Sequence, residues 1–206
     1  MSRLASILYS LFVARRRIYK PGSFEDGYFD RYHALTPVQR RDYHDRAGAY
    51  LGLLDPGPSK ILDVGCGIGL LLDGFLAHGK DASGVEVSRE ALKFASKEAA
   101  ARIRTGTLAE QGFKESEFDA VFCIDVLEHI PALDAAGMIS ELVRVSRRWT
   151  ILSICFWHER NARKDPTHIN LRPRGYWNRL IRSMGLRTVP IPAGFPSAEN
   201  SFIIVK

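Results

Sequence analysis

Between Ile61 and Gly69 the chain reads Ile-Leu-Asp-Val-Gly-Cys-Gly-Ile-Gly, an apolar strand running into a turn with glycine at every second position. Gly65, Gly67 and Gly69 can take positive φ there, and without Cβ atoms they let bare backbone approach a ligand. Helix amides just beyond such a turn face that ligand, as in nucleotide-binding folds. The spacing is G-x-G-x-G, not the G-x-G-x-x-G that seats a pyrophosphate. With Asp63 inside the strand, a ligand carrying positive charge and no phosphates suits the turn better.

A second strand, Ala82 to Val87, ends in Gly84-Val85-Glu86-Val87-Ser88. Glu86 stands at its tip, roughly 20 residues past the glycine turn, where an acid can accept hydrogen bonds from ribose hydroxyls. Phe118 to Ile130 then supplies a buried strand and a loop containing Asp125 and Leu127-Glu128-His129. These three segments, in this order within residues 40–157, resemble the class I S-adenosylmethionine-dependent methyltransferases. The resemblance implies S-adenosyl-L-methionine as cofactor. Its methionine part would lie near Asp63, Gly65, Cys66, Gly67 and Gly69, its ribose on Glu86, and its adenine between Val87 and the loop after strand three. Ile124 and Asp125 would complete the pocket. Family members often carry an acid after the glycine of the adenine loop, where this chain has Gly106-Thr107-Leu108-Ala109. Thr107 and Leu108 therefore stand at the adenine, with Glu110 or backbone carbonyls as substitutes for the acid.

Strands near 60–66, 82–87, 102–106, 118–124 and 149–157 alternate with helices near 69–78, 88–101 and 132–145, which predicts a parallel sheet covered on both faces. Ahead of them Thr36-Pro37-Val38-Gln39 has the pattern of a helix start. Ala47, Tyr50, Leu51 and Leu54 form that helix's core side, and Asp55-Pro56-Gly57-Pro58 ends it. A last helix over 173–184 precedes two strands, 186–191 and 201–205, joined by a proline and glycine turn into an antiparallel hairpin. The fold class is thus α/β, and the resemblance makes it a Rossmann-like, doubly wound seven-stranded sheet, mostly parallel with an antiparallel last strand. Residues 1–55 are read as N-terminal helices and a lid, and 56–206 as the cofactor-binding domain, together one structural domain.

Three cysteines, Cys66, Cys123 and Cys155, fall in segments read as buried strands or the turn, and their odd number suggests reduced thiols in a reducing, cytoplasmic-type compartment. Of a net charge of +6, five positive charges come from Arg3, Arg15, Arg16, Arg17 and Lys20, in a stretch without acids. The nearly neutral remainder lacks the basic face of a nucleic-acid binder. Residues 1–20 themselves pattern as an amphipathic helix, from Leu4, Ile7, Leu8, Leu11 and Phe12. A docked helix, a peripheral membrane or protein contact, and an organelle transit peptide are its open readings. Its apolar stretch is too short to span a bilayer, and it lacks the form of a secretory signal.

Methyl transfer needs an aligned nucleophile and exclusion of water. For a hydroxyl acceptor a histidine suits proton removal near neutral pH. His168, in Asp165-Pro166-Thr167-His168, and His129 are the candidate catalytic residues, the first because some similar small-molecule methyltransferases carry a like run. His158, Tyr28 and Tyr32 are the candidate acceptor contacts, with Phe29, His33 and Tyr43 adding to an aromatic wall. Asp165, His158 and His168 are spaced too loosely for a metal motif, and no metal is expected. No Asn-Pro-Pro-Tyr, Asp-Pro-Pro-Tyr or Pro-Cys motif occurs, which argues against a nucleic-acid base as acceptor. Plainer readings exist: Asp63 as a turn cap, Glu86 as a solvated strand end, His129 as a backbone brace. The expected activity is methyl transfer to a small-molecule hydroxyl. A macromolecular or membrane-associated acceptor and a non-catalytic module of the same fold are the alternatives.

Overall fold

The computed structural model describes residues 27–30, 37–159 and 162–206. The segment 1–20, Tyr32, His33 and the Thr36 cap lie outside them. A helix α1 (Pro37–Leu53) leads into β1 (Lys60–Val64), α2 (Leu70–Ala77), β2 (Asp81–Glu86), a short α3 (Lys97–Ala100), β3 (Ile103–Thr105) and β4 (Phe118–Ile124). Next come α4 (Ala135–Val145), β5 (Ser146–Ser153), α5 (Arg174–Ser183), β6 (Arg187–Val189) and β7 (Ser201–Val205). Among the described residues the strands form one seven-stranded sheet in the order β3-β2-β1-β4-β5-β7-β6. β1 to β5 pair in parallel. β7 runs antiparallel to both β5 and β6, as expected of the closing hairpin.

The sheet separates two apolar layers, and successive residues of each inner strand alternate between them. Leu62, Val64, Val121, Cys123, Leu152, Phe202 and Ile204 face the layer built from α4 and α5, around Leu142, Trp177 and Ile181. Ile61, Ala120, Phe122, Ile151 and Ile203 face the other, with Ala47, Tyr50 and Leu54 from the α1 region and Leu72 and Phe75 of α2. Helix α1 lies so close to α2 that a Cβ on Gly74 would stand 2.7 Å from that of Ala47 and 2.9 Å from the Tyr43 carbonyl oxygen. Among the described residues no helix is long and apolar enough to cross a membrane.

Two expected elements differ. The helix foreseen over 88–101 is broken into a 3-10 turn, Ala91–Lys93, and α3. Ser96 interrupts it by capping α3, accepting from Ala99 N–H at 2.9 Å while donating to Asp73 at 2.6 Å, a local bond that competes with helix continuation. Strand β5 starts earlier than expected and ends at Ser153, because its pairing with β4 and with β7 ends there together. Cys155 is therefore a half-buried loop residue, not part of a buried strand.

Candidate functional site

The carboxyl ends of β1, β2, β4 and β5 open onto one large cavity, the location at which doubly wound sheets bind ligands. Its volume of about 2140 Å³ exceeds the ~300–1,000 Å³ of a single-ligand pocket, so it has room for two molecules side by side. One half is built on the glycine turn and the other on the loops after β4 and β5.

In the turn half, Gly65, Gly67 and Gly69 all have positive φ, at 72°, 54° and 79°. Their reasons differ, which corrects the expectation that all three make way for a ligand. A Cβ on Gly65 would lie 2.4 Å from Val126 Cγ2, and one on Gly69 would lie 2.7 Å from Ala99 Cβ, so protein packing forbids them. At Gly67 the nearest atom to a Cβ would be Phe29 Cε1 at 3.7 Å, leaving space on the cavity side. The Gly67 N–H donates to Glu86 Oε2 at 2.8 Å, and Ser88 N–H donates to Glu86 Oε1 at 2.9 Å. Glu86 is buried, not a solvated strand end. Burial raises its pKa against these hydrogen bonds.

Asp63 is also buried, and its carboxyl is pushed up to about 7, first by burial and then by the charge of Glu86. Burial and the same two acids hold the Cys66 thiol protonated. Val87, Thr107, Leu108, Ile124 and Asp125 line the cavity as expected. Glu110 is not among the residues lining the cavity. Its Oε2 accepts from Thr107 N–H at 2.7 Å and from Thr107 Oγ1 at 2.8 Å, closing a capping box on its own exposed loop.

In the other half, Asp125 sits at φ 55° and accepts from Ser153 Oγ at 3.0 Å. Glu128 is fully buried; Cys155 N–H donates to its Oε1 at 3.1 Å, while Oε2 has no hydrogen-bond partner. Burial, then the charge of Asp125, pushes the Glu128 carboxyl up to about 8. The Cys155 thiol is pushed up to about 12, chiefly by burial. His129 and His168 stand with ring centroids 4.6 Å apart. His168 Nδ1 lies 2.6 Å from the Ala162 carbonyl oxygen. A carbonyl only accepts, so Nδ1 carries the proton and the neutral ring has its lone pair on Nε2. Among the described residues Asp165, His158 and His168 form no metal-ligand cluster. One ligand atom each from Glu128, Cys155 and His168 does lie within 4.8 Å of the others.

Tyr28 lines the cavity and donates to Asp165 Oδ2 at 3.2 Å. Tyr32 lies outside the described residues. His158 is a correction: it is exposed and absent from the cavity lining, because Phe156 takes the inward position and Trp157 and His158 follow outside. Sequence reasoning passed over Glu128 and Arg46 as site residues. Glu128 adjoins His129 within the strand-four segment, a usable signal. Arg46, which lines the cavity and whose charge partly opposes the rise that burial imposes on the Asp125 pKa, sits in a polar stretch of α1 that offers none.

The profile of a methyltransferase domain matches residues 62–154. Relatives named ubiquinone biosynthesis O-methyltransferase include one from Alkalilimnicola ehrlichii, 37% identical over 119 residues, which cover 55% of this chain and 45% of the relative. One from Photobacterium profundum is 30% identical over 115 residues, covering 52% and 45%. The chain thus spans about half the length of the curated relatives it matches. Among solved structures, a SAM-dependent methyltransferase from Archaeoglobus fulgidus superposes with a TM-score of 0.67 at 16% identity, covering 87% of this chain and 98% of that one. Magnesium protoporphyrin IX methyltransferase from Synechocystis, crystallised with SAM, gives 0.62 at 22% identity over 93% and 99%.

Proposed function

We propose that this chain, which matches a methyltransferase domain over residues 62–154 and shares the fold of a SAM-dependent methyltransferase, uses S-adenosyl-L-methionine to methylate a hydroxyl oxygen of a small molecule. The observation that carries the cofactor is the carboxyl pair at the glycine turn. Asp63 and Glu86 are both buried with raised pKa values, a setting that a positively charged ligand relieves. Glu86, already oriented by Gly67 and Ser88 amides, keeps lone pairs for ribose hydroxyls, since a carboxylate offers about four acceptor sites. When bound, S-adenosyl-L-methionine supplies an electrophilic methyl carbon on its sulfonium.

On the acceptor side, His168 is the base. Its Nδ1–H is committed to Ala162, so Nε2 takes the hydroxyl proton as the acceptor oxygen becomes nucleophilic. Asp125, Glu128 and His129 border the same chamber. The relatives' O-methyltransferase names support an oxygen nucleophile. Calorimetric titration with S-adenosylmethionine, S-adenosylhomocysteine and a nicotinamide dinucleotide tests the cofactor, followed by an acceptor screen by mass shift. Binding of the dinucleotide alone would reverse the assignment.

A second reading, a membrane-associated acceptor, is favoured by exposed Leu133, Trp157 and Ile169 on the loops around the acceptor half and by the basic segment 1–20. Removing residues 1–18 would abolish vesicle co-sedimentation while sparing activity on a soluble acceptor. Co-sedimentation that survives the deletion removes the role of that segment.

A further inference from the structure

His129 is held by the same loop that carries His168. Its Nδ1 lies 3.2 Å from the Thr167 carbonyl oxygen and 2.9 Å from Thr167 Oγ1. The carbonyl can only accept, so Nδ1 bears the proton and the neutral ring carries its lone pair on Nε2. Thr167 Oγ1, accepting from His129, in turn donates to Asp165 Oδ1, and Thr167 N–H donates to the same oxygen at 2.9 Å. Tyr28 donates to the other carboxylate oxygen at 3.2 Å. Burial raises the Asp165 pKa, but the Thr167 hydrogen bonds and the charges of His168 and His129 lower it by more, leaving it below the usual range. Coulombic attraction is mutual, so the ionised Asp165 favours the protonated form of the His129 imidazole to which it is linked.

We infer that Asp165 is a positioning residue which, acting through the Thr167 hydroxyl, orients the His129 ring that the Thr167 carbonyl keeps as its Nδ1–H tautomer and favours that ring's protonated form. A carboxylate, a hydroxyl and an imidazole in series do here what a direct carboxylate–imidazole contact does in a catalytic triad: orient the ring and stabilise its cation. The Asp-Pro-Thr-His run therefore serves both histidines. Its aspartate and threonine set His129, while its own His168 is set by Ala162. Asp125, Glu128, Cys155, Glu159 and Lys164 border the same chamber. Of these, Glu128 and Cys155 are protonated near neutral pH, and the carboxylate that is hydrogen-bonded into the histidine relay is Asp165. Phe29, next to Tyr28, packs with Ile68 and Leu70 at the glycine turn, so one short segment reaches both halves of the cavity.

The test is long-range ¹H–¹⁵N NMR of the imidazole rings in the full chain, with His129 assigned through His129→Gln, followed across pH. The wild type and Thr167→Ser should show the Nδ1–H tautomer. Thr167→Val and Asp165→Asn should lower the His129 titration midpoint, while the Thr167 carbonyl keeps the Nδ1–H tautomer in both. This readout needs no substrate and stands apart from the methyl-transfer reading. Only the second arm rests on that reading: the acidic limb of the pH–turnover profile should move to lower pH in both variants, with a loss in kcat smaller than the ~10²-fold or more expected for losing the base itself. An unchanged His129 midpoint in Thr167→Val overturns the inference, even where Asp165→Asn fails to fold.

Discussion

The two halves of the cavity are built on opposite principles. The turn half is local: Asp63, the three glycines and Glu86 sit at the ends of adjacent strands β1 and β2, paired so that Asp63 lies across from Gly84. The acceptor half is assembled from afar, with His129 and Thr167 bonding across 38 residues and Tyr28 and Asp165 across 137. Short-range backbone geometry thus specifies the cofactor end, while loop docking on a finished sheet specifies the acceptor end. Asn170 shows how that docking is fixed: its N–H donates to the Glu128 carbonyl oxygen at 2.9 Å and its Nδ2 to the Leu127 carbonyl oxygen at 3.3 Å.

If the halves are separable in function, substitutions should divide cleanly between affinity and turnover. The largest effect is expected for His168→Ala, which should lower turnover by about 10²- to 10⁴-fold with cofactor affinity nearly unchanged. A parallel loss of affinity in calorimetry would show that the halves are one unit. Gly65→Ala comes next, since it combines a positive φ with a Cβ 2.4 Å from Val126 Cγ2. It should cost about 1–3 kcal/mol of stability and weaken cofactor binding, read by thermal melting and titration. An unshifted melting midpoint would show that the turn can relax. Glu86→Ala should weaken the cofactor by about 1–3 kcal/mol while leaving acceptor KM alone.

The pH response differs between the halves as well. Asp63, with its pKa raised to about 7, holds a proton below that pH in the ligand-free protein. A cationic ligand favours the ionised form, so affinity should climb as pH rises toward about 7, level off above it, and be accompanied by proton release at about pH 6. Asp63→Asn should flatten that dependence. Glu128, raised from 4.5 to about 8, keeps its proton in the folded state where the unfolded chain has lost it. Its contribution to stability should therefore fall as pH rises from about 4.5 to about 8 and stay constant above, and Glu128→Gln should remove that slope in denaturant titrations. The smallest effect belongs to His158→Ala, which should change neither turnover nor affinity because the side chain stands outside the cavity.

Legibility in the sequence followed the same division. The alternation of apolar runs and helices gave the sheet, because residues such as Ile61 and Leu62 serve opposite layers and every inner strand must be apolar on both faces. Asp63 and Glu86 were readable from their place beside the glycines. Less visible was why each glycine is there: the neighbours that exclude a Cβ at Gly65 and Gly69, Val126 and Ala99, belong to other loops and helices. Glu110 was ambiguous in the sequence because a capping box and a ligand contact share one residue type. His158 misled because the strand-like run 149–157 hides the end of β5 at Ser153, and the facing of every later residue depends on that end. The full burial of Glu128 was not legible, although its place beside His129 was, since that burial comes from loop docking and not from any local pattern.

The most direct test is calorimetric titration of the full chain with S-adenosylmethionine at several pH values, in buffers of different ionisation enthalpy. The account predicts binding that tightens toward about pH 7 with release of a proton below it, lost in Asp63→Asn and weakened in Glu86→Ala. Binding that is indifferent to pH and to both substitutions, or none at all beside binding of a nicotinamide dinucleotide, would contradict it.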